Sequence, residues 1–153
     1  MVFFIRSKRG TRFKVQGARM IKYQNHKDLL VFQRAYKISL EIYKQSRTFP
    51  KEEQYAITDQ LRRSATSICA NIAEGYGRQL TSKNDFKRFL IIAKGSCQEV
   101  GVWIDYCKDL SFIDQKTSKM WEDEYTEISK MLYALIQRQK SGTLNLESGI
   151  SRK

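Results

Sequence analysis

Between Phe86 and Cys107 the apolar residues of this chain recur at alternating steps of four and three: Phe86, Leu90, Ala93, Cys97, Val100, Ile104 and Cys107. Such a series lies along one side of an α-helix, whereas a pleated strand would repeat every second residue. A helix with an apolar seam has to bury it against another layer, and the rest of the sequence supplies matching seams. Leu61, Ala65, Ile68, Ile72 and Tyr76 precede it, and Trp121, Tyr125, Ile128, Leu132 and Leu135 follow. Eight glycines and the single Pro50 in 153 residues are too little punctuation for a β-sandwich or barrel.

These periods predict four helices, at about residues 28–47, 52–76, 82–109 and 114–139. Asp28 is placed to accept hydrogen bonds from the free amides of the first helix, and Phe49-Pro50 to end it. Glu52 and Glu53 suit the positive end of the second helix dipole, and Gly75-Tyr76-Gly77 its close. Ser82-Lys-Asn-Asp85 approximates a capping box for the third helix. Short connections make sequential neighbours antiparallel, so the expected fold class is all-α, an up-down-up-down four-helix bundle. The domain organisation that follows is a basic, disordered extension over residues 1–25, the bundle over 26–140, and a disordered tail over 141–153.

The first helix carries more apolar surface than one bundle needs. Val31, Ala35, Ile38, Ile42 and Phe49 form one seam, while Leu29, Phe32, Tyr36, Leu40 and Tyr43 form another about 125° away at the helical 100° per residue. Arg34, Lys37, Glu41 and Lys44 occupy the remaining arc. On the third helix Ile91 and Val102 also point away from the core seam. Phe32, Tyr36, Tyr43, Ile91 and Val102 are therefore candidate contacts between subunits of a homo-oligomer.

The formal net charge is +12, and its distribution matters more than its size. Residues 1–27 hold eight Lys and Arg and no acid, so two thirds of the excess sits before the first helix. Residues 1–19 of that stretch are expected to be disordered and dispensable for folding, and Met20 offers a second translation start. On the third helix Lys83, Lys87, Lys94 and Lys108 share an arc of about 60°, joined there by Asp105. On the second, Gln60, Arg63, Ser67, Asn71, Glu74 and Arg78 gather beside the core seam, with Arg62 adjacent. A basic stripe repeated around an oligomer would make a polyvalent surface for phosphates, although an isolated stripe is ordinarily a solvated face.

Little in the sequence points to catalysis. His26 is the only histidine, so neither a Ser-His-Asp nor a Cys-His constellation nor a two-histidine metal site can form in one chain. Gly75 and Gly77 follow a helix and lack the third glycine of a dinucleotide loop, and no Gly-Lys-Ser or Gly-Lys-Thr phosphate loop occurs. The Glu122-Asp-Glu124 run lacks the Glu-x-x-His partner of a di-iron bundle, and its acids are read as lying near a helix start. Cys69, Cys97 and Cys107 read as free thiols packed as small hydrophobes. The chain is expected to be no enzyme and to need no cofactor or metal. No apolar run approaches the roughly 18 residues of a membrane span, and the opening residues fail as a signal peptide, so the cytoplasm is the expected location.

The stretches Leu61-Arg-Arg-Ser-Ala-Thr-Ser-Ile68 and Ala70-Asn-Ile-Ala-Glu-Gly-Tyr-Gly-Arg78 resemble the four-helix-bundle proteins encoded in intervening sequences of bacterial 23S ribosomal RNA genes. Leu30-Val-Phe-Gln-Arg-Ala35, Phe49-Pro-Lys-Glu-Glu-Gln-Tyr55, Asp85-Phe-Lys-Arg-Phe-Leu90 and Met131-Leu-Tyr-Ala-Leu-Ile136 extend the resemblance over about residues 26–138. It implies an antiparallel bundle that assembles into a ring, commonly a pentamer, and it transfers no catalytic residue. Two functional readings follow. In the first, the ring binds RNA or DNA through Arg62, Arg63, Arg78, Lys83, Lys87 and Lys94. In the second, it is a protein-interaction scaffold whose unidentified protein partner grips the second helix around Asn71 and Glu74.

Overall fold

A computed structural model of the chain describes residues 3–6, 12–15, 25–79 and 81–140. Residues 25–140 are all-α, with four helices: α1 (Leu30–Gln45), α2 (Ile57–Arg78), α3 (Lys83–Asp109) and α4 (Gln115–Lys140). Single 3-10 turns at His26–Asp28, Ser46–Thr48 and Lys51–Glu53 flank α1 and precede α2. Each helix packs against its two neighbours in the cycle α1, α2, α3, α4, with the α2–α3 contact the most extensive. Among the described residues no helix is long and apolar enough to cross a membrane.

The seams read from the sequence form the core. Every residue of the α3 series is buried, as are Leu61, Ala65, Ile68 and Ile72 on α2 and Val31, Ala35, Ile38, Ile42 and Phe49 from α1 and its exit turn. Trp121, fully buried, contributes the largest side chain, and burial of such a residue is worth about 1.5–3 kcal/mol. At the end of α4 the expected Leu135 is only half-buried and Ile136 takes the core position. A straight helix drifts from a strict four-three alternation, and by Leu132 a second step of four keeps the seam inward. Burial holds the three thiols protonated, pushing Cys69 and Cys107 up to about 11 and Cys97 to about 12.

Several helix ends differ from the sequence reading. Asp28 does not cap α1. Its carboxylate accepts from the Asn25 amide at 3.1 Å, while the Asn25 side chain accepts from the Lys27 amide at 2.8 Å. That reciprocal box closes a single turn, and α1 starts one residue later behind Leu29, which has no capping side chain. Helix α2 begins at Ile57 and not at Glu52, because the backbone of Ala56 (φ −113°, ψ −105°) breaks the run after the 3-10 turn. Glu52 and Glu53 thus lie before the first turn they were expected to neutralise. Ser82 does cap α3, accepting from the Asp85 amide at 3.1 Å. The turn out of α3 passes through Ser111 at φ 61°, and Asp114 then accepts from the Thr117 amide at 2.7 Å to open α4.

Gly75 and Gly77 do not end α2, which continues to Arg78. Gly75 is instead a point of close approach. A Cβ there would lie 2.7 Å from Phe89 Cβ and 3.3 Å from the Phe86 carbonyl oxygen, whereas one at Gly77 would meet nothing within 4 Å. Further along the same pair of helices, Ser67 and Ser96 share a hydrogen bond of 3.0 Å.

Helices α1 and α4 are joined by polar contacts that the sequence reading did not anticipate. Arg34 donates two hydrogen bonds to Glu124, at 2.8 and 2.6 Å, and Trp121 donates to Glu41 at 3.1 Å. Arg34 thus meets Glu124 while Glu41, further along α1, meets the earlier Trp121. The carboxylate run is divided among partners well inside α4 and not gathered at its start: Glu122 accepts from Ser118, Asp123 pairs with Lys119, and Glu124 holds Arg34.

In the N-terminal extension, read as disordered, β1 (Phe3–Arg6) and β2 (Arg12–Val15) pair as an antiparallel ladder. The register sets Phe3 opposite Val15 and Ile5 opposite Phe13. The remaining residues of the extension and the tail 141–153 lie outside the described residues.

Two measurements test these contacts. Gly75→Ala should lower stability in urea unfolding by roughly 1–3 kcal/mol despite the better helix propensity of alanine, because the clash involves atoms that cannot swing away. Gly77→Ala should raise it by roughly 0.5–1 kcal/mol, and equal effects at the two sites would refute the close approach. The Arg34 hydrogen bonds hold the Glu124 carboxyl below its ordinary range, against a desolvation that opposes them. With side chains 34% and 27% exposed, the pair should be worth about 0.5–1 kcal/mol after solvent screening. A carboxylate whose folded pKa is depressed stabilises the fold above its unfolded pKa, and the gain is lost as pH falls through the folded value. The stability lost in Glu124→Gln at pH 7 should therefore shrink toward zero in acid, and a pH-independent difference would sink this assignment.

Candidate nucleic-acid interface

The structure divides the six basic residues singled out in the sequence into two kinds. Lys83, Lys87 and Lys94 follow one side of α3, Lys83 exposed and the other two half-buried, and none of them forms an ion pair among the described residues. Lys108, the fourth member of the arc, is neutralised by Asp105 at 2.9 Å and lies 3.9 Å from Glu122. Its hydrogen bond to Asp105 raises its pKa.

The arginines of α2 are engaged. Arg78 donates to Glu74 at 2.6 Å and its guanidinium carbon stands 5.3 Å from the centre of the Phe89 ring. Arg63, exposed, lies 3.8 Å from Asp59. Arg62 donates through Nε to Ser46 Oγ at 2.7 Å and stacks 4.7 Å above the Tyr43 ring, which takes it away from the α3 stripe and fixes it beside the exit of α1. Arg62 and Arg63, neighbours in the chain, stand about 100° apart on α2, so the two cations face different sides of the helix.

The polar face proposed for a protein partner is occupied as well. Asn71 Nδ2 donates to the Ser67 carbonyl at 2.8 Å and to Ser67 Oγ at 3.1 Å, so the amide is bonded back within α2, beside the Ser67–Ser96 bond to α3. Glu74 is the acceptor for Arg78. Beside them, Ala70, Ala73 and Gly77 line a shallow depression with Glu74 and Arg78.

Five residues were assigned to a subunit interface. Tyr36, Tyr43, Ile91 and Val102 are each about half exposed, while Phe32 is half-buried and stacks on Tyr36 with 5.9 Å between ring centres. Leu40 extends the α1 patch, as its place on that seam implied, and Ile92, Tyr106 and Leu110 extend the α3 patch. Of the last three, Tyr106 falls within about 60° of Ile91 and Val102 at the helical 100° per residue, a signal present in the sequence and not used, while Ile92 and Leu110 lie about 80–100° from them. Helices α1 and α3 are not neighbours in the cycle of contacts, so the patches occupy different sides of the bundle. Among the described residues no group of three or more His, Cys, Asp or Glu gathers as metal ligands would.

The described residues define an all-α bundle of four helices, with a bare lysine row on α3 and exposed apolar patches on α1 and α3. The family model for 23S rRNA-intervening sequence proteins matches residues 27–134, and the chain belongs to that family. Among solved structures it is similar to a crystal structure of a protein of unknown function from the S23 ribosomal protein family of Bacteroides thetaiotaomicron. The two share 26% identity and a TM-score of 0.64, over 71% of this chain and 99% of that one. No curated protein matches.

Proposed function

We propose that the chain is a non-catalytic, antiparallel up-down-up-down bundle that assembles into a cytoplasmic homo-oligomeric ring and binds RNA or DNA by phosphate contacts. The observation that carries the binding half is the row Lys83, Lys87 and Lys94, three cations on one side of α3 with no acid to neutralise them. Counterion release makes such a row worth more when it is repeated around a ring. Arg78 and Arg63, each facing an acid, and Arg62, tied to Ser46, add less to it than the sequence suggested. The reading of a protein partner held by Asn71 and Glu74 loses support, because both side chains are already bonded within α2.

The antiparallel order is supported by the reversed sequence of the α1–α4 contacts and by Phe49 packing 5.4 Å from Phe112, which brings the ends of α1 and α3 together. The ring is supported by the placement of the two apolar patches. An α1 patch and an α3 patch on different sides cannot meet themselves across one two-fold axis, but each can meet the other on the next subunit. Head-to-tail contacts of that kind close into rings, and five subunits is the number the family resemblance implies.

Tyr36→Asp with Tyr43→Asp should convert the assembly into smaller species by light scattering, and a wild-type mass at the monomer value at micromolar concentration would refute the ring. Lys87→Glu with Lys94→Glu should leave the fold intact and lower the slope of log affinity against log salt by about 0.7–0.9 for each lost contact, read by fluorescence anisotropy with a structured RNA and a duplex DNA. Asn71→Ala with Glu74→Ala is the control and should leave affinity nearly unchanged. Absence of any salt-sensitive binding by the wild type near 50 mM salt would end the nucleic-acid reading.

A further inference from the structure

A second basic site, sharing no residue with the lysine row, lies where α1 hands the chain to α2. Ser46, Arg47, Lys51, Gln54, Thr58 and Arg62, with the backbone at Phe49-Pro50, line a cleft of about 230 Å³. Three cations and no acid stand on its wall. Glu52, Glu53 and Asp59 are near in sequence but do not line it, and Asp59 has Arg63 for a partner.

Two independent features give this cleft the chemistry of an anion site. The first is the start of α2. Its ladder begins with the Gln60 amide bonding the Ala56 carbonyl at 3.1 Å, so the first three amides have no acceptor within the helix, and of the three residues Thr58 lines the cleft. Ala56 has no side chain to cap them. The aligned dipoles of a 22-residue helix add partial positive charge at the same place. The second is Thr58 itself, which is 2% exposed and whose hydroxyl is buried without any hydrogen-bond partner. A buried hydroxyl left unpaired carries the cost of its lost water, which an anion oxygen accepting its proton would remove.

Arg62 completes the arrangement. Ser46 Oγ donates to the Tyr43 carbonyl at 3.1 Å and accepts from Arg62 Nε at 2.7 Å, and the Tyr43 ring supports the guanidinium plane. The outer edge of the guanidinium is left with both terminal nitrogens and no carboxylate, a fork suited to two oxygens of one phosphate. Its orientation is fixed before a ligand arrives, so little rotamer entropy is lost on binding.

We infer that the cleft between the end of α1 and the start of α2 is a phosphate-binding pocket, in which Arg47, Lys51 and Arg62 supply charge and the Thr58 hydroxyl donates to a phosphate oxygen. The phosphate can belong to a nucleic-acid backbone or to a small phosphorylated compound, since the recognised group is the same.

Isothermal titration calorimetry of the full chain with inorganic phosphate, against chloride at matched ionic strength, tests the pocket, and anisotropy with a short RNA tests the source of the phosphate. Thr58→Val keeps the side-chain shape and removes only the hydroxyl, so it should fold as well as wild type and bind phosphate about tenfold more weakly. Arg47→Gln with Lys51→Gln should abolish saturable phosphate binding, while Lys87→Glu with Lys94→Glu should not change it. Loss of RNA affinity in the Arg47/Lys51 variant would place a backbone phosphate in the cleft. Loss of phosphate binding with RNA affinity retained would assign the cleft to a small phosphorylated ligand and leave the lysine row as the nucleic-acid site. No saturable phosphate binding by the wild type, or equal affinity in wild type and both cleft variants, would overturn the inference whatever the lysine row does.

Discussion

The approach of α2 to α3 at Gly75 is the constraint on which the rest of the bundle hangs. With no side chain on α2 at that point, Phe86 and Phe89 can lie directly against its backbone, and the two helices share the broadest contact in the molecule. The Ser67–Ser96 bond carries the same contact further along, and the Asn71 amide beside it is bonded back to Ser67, so the hydrogen bonds are satisfied as a partly buried polar layer requires. Once α2 and α3 are fixed, α1 and α4 close the cycle through Trp121 and its neighbours. That closure sets the row of lysines along the α3–α4 side and the apolar patches on α1 and α3 on different sides.

The core was legible in the sequence because burial and helical period are the same signal. One seam of each helix is inward, Tyr76 at the end of the α2 seam is only partly buried, and Leu135 yields its place to Ile136 where a four-three alternation and a 3.6 period part company. The polar contacts were not legible. Arg34 and Glu124 are 90 residues apart, and nothing in the pattern of α1 says which edge of its charged arc will meet α4. Helix ends were misread for a related reason. Glu52 and Glu53 suit a helix start by propensity, but Pro50 and the turn that follows it spend those residues on a separate 3-10 turn, and α2 begins behind an alanine.

Of the candidate sites, the lysine row was visible as a charge pattern, whereas the cleft at the α1–α2 junction was not. Its members come from a helix exit, a turn and a helix start, with no shared period, and Arg62 and Thr58 acquire meaning only from what surrounds them. The sequence treated Arg62 as one more surface cation. Its anchoring by Ser46 and Tyr43 converts it from a solvated charge into an oriented one.

The head-to-tail ring proposed above would have a genetic consequence. In a head-to-tail assembly every subunit offers one face and receives another, so a chain with a spoiled α1 face and an intact α3 face still joins a growing ring and leaves it nowhere to continue. Co-expressed with the native protein, such a chain acts as a terminator and its defect is dominant. A chain with both faces spoiled never joins, and its defect is recessive.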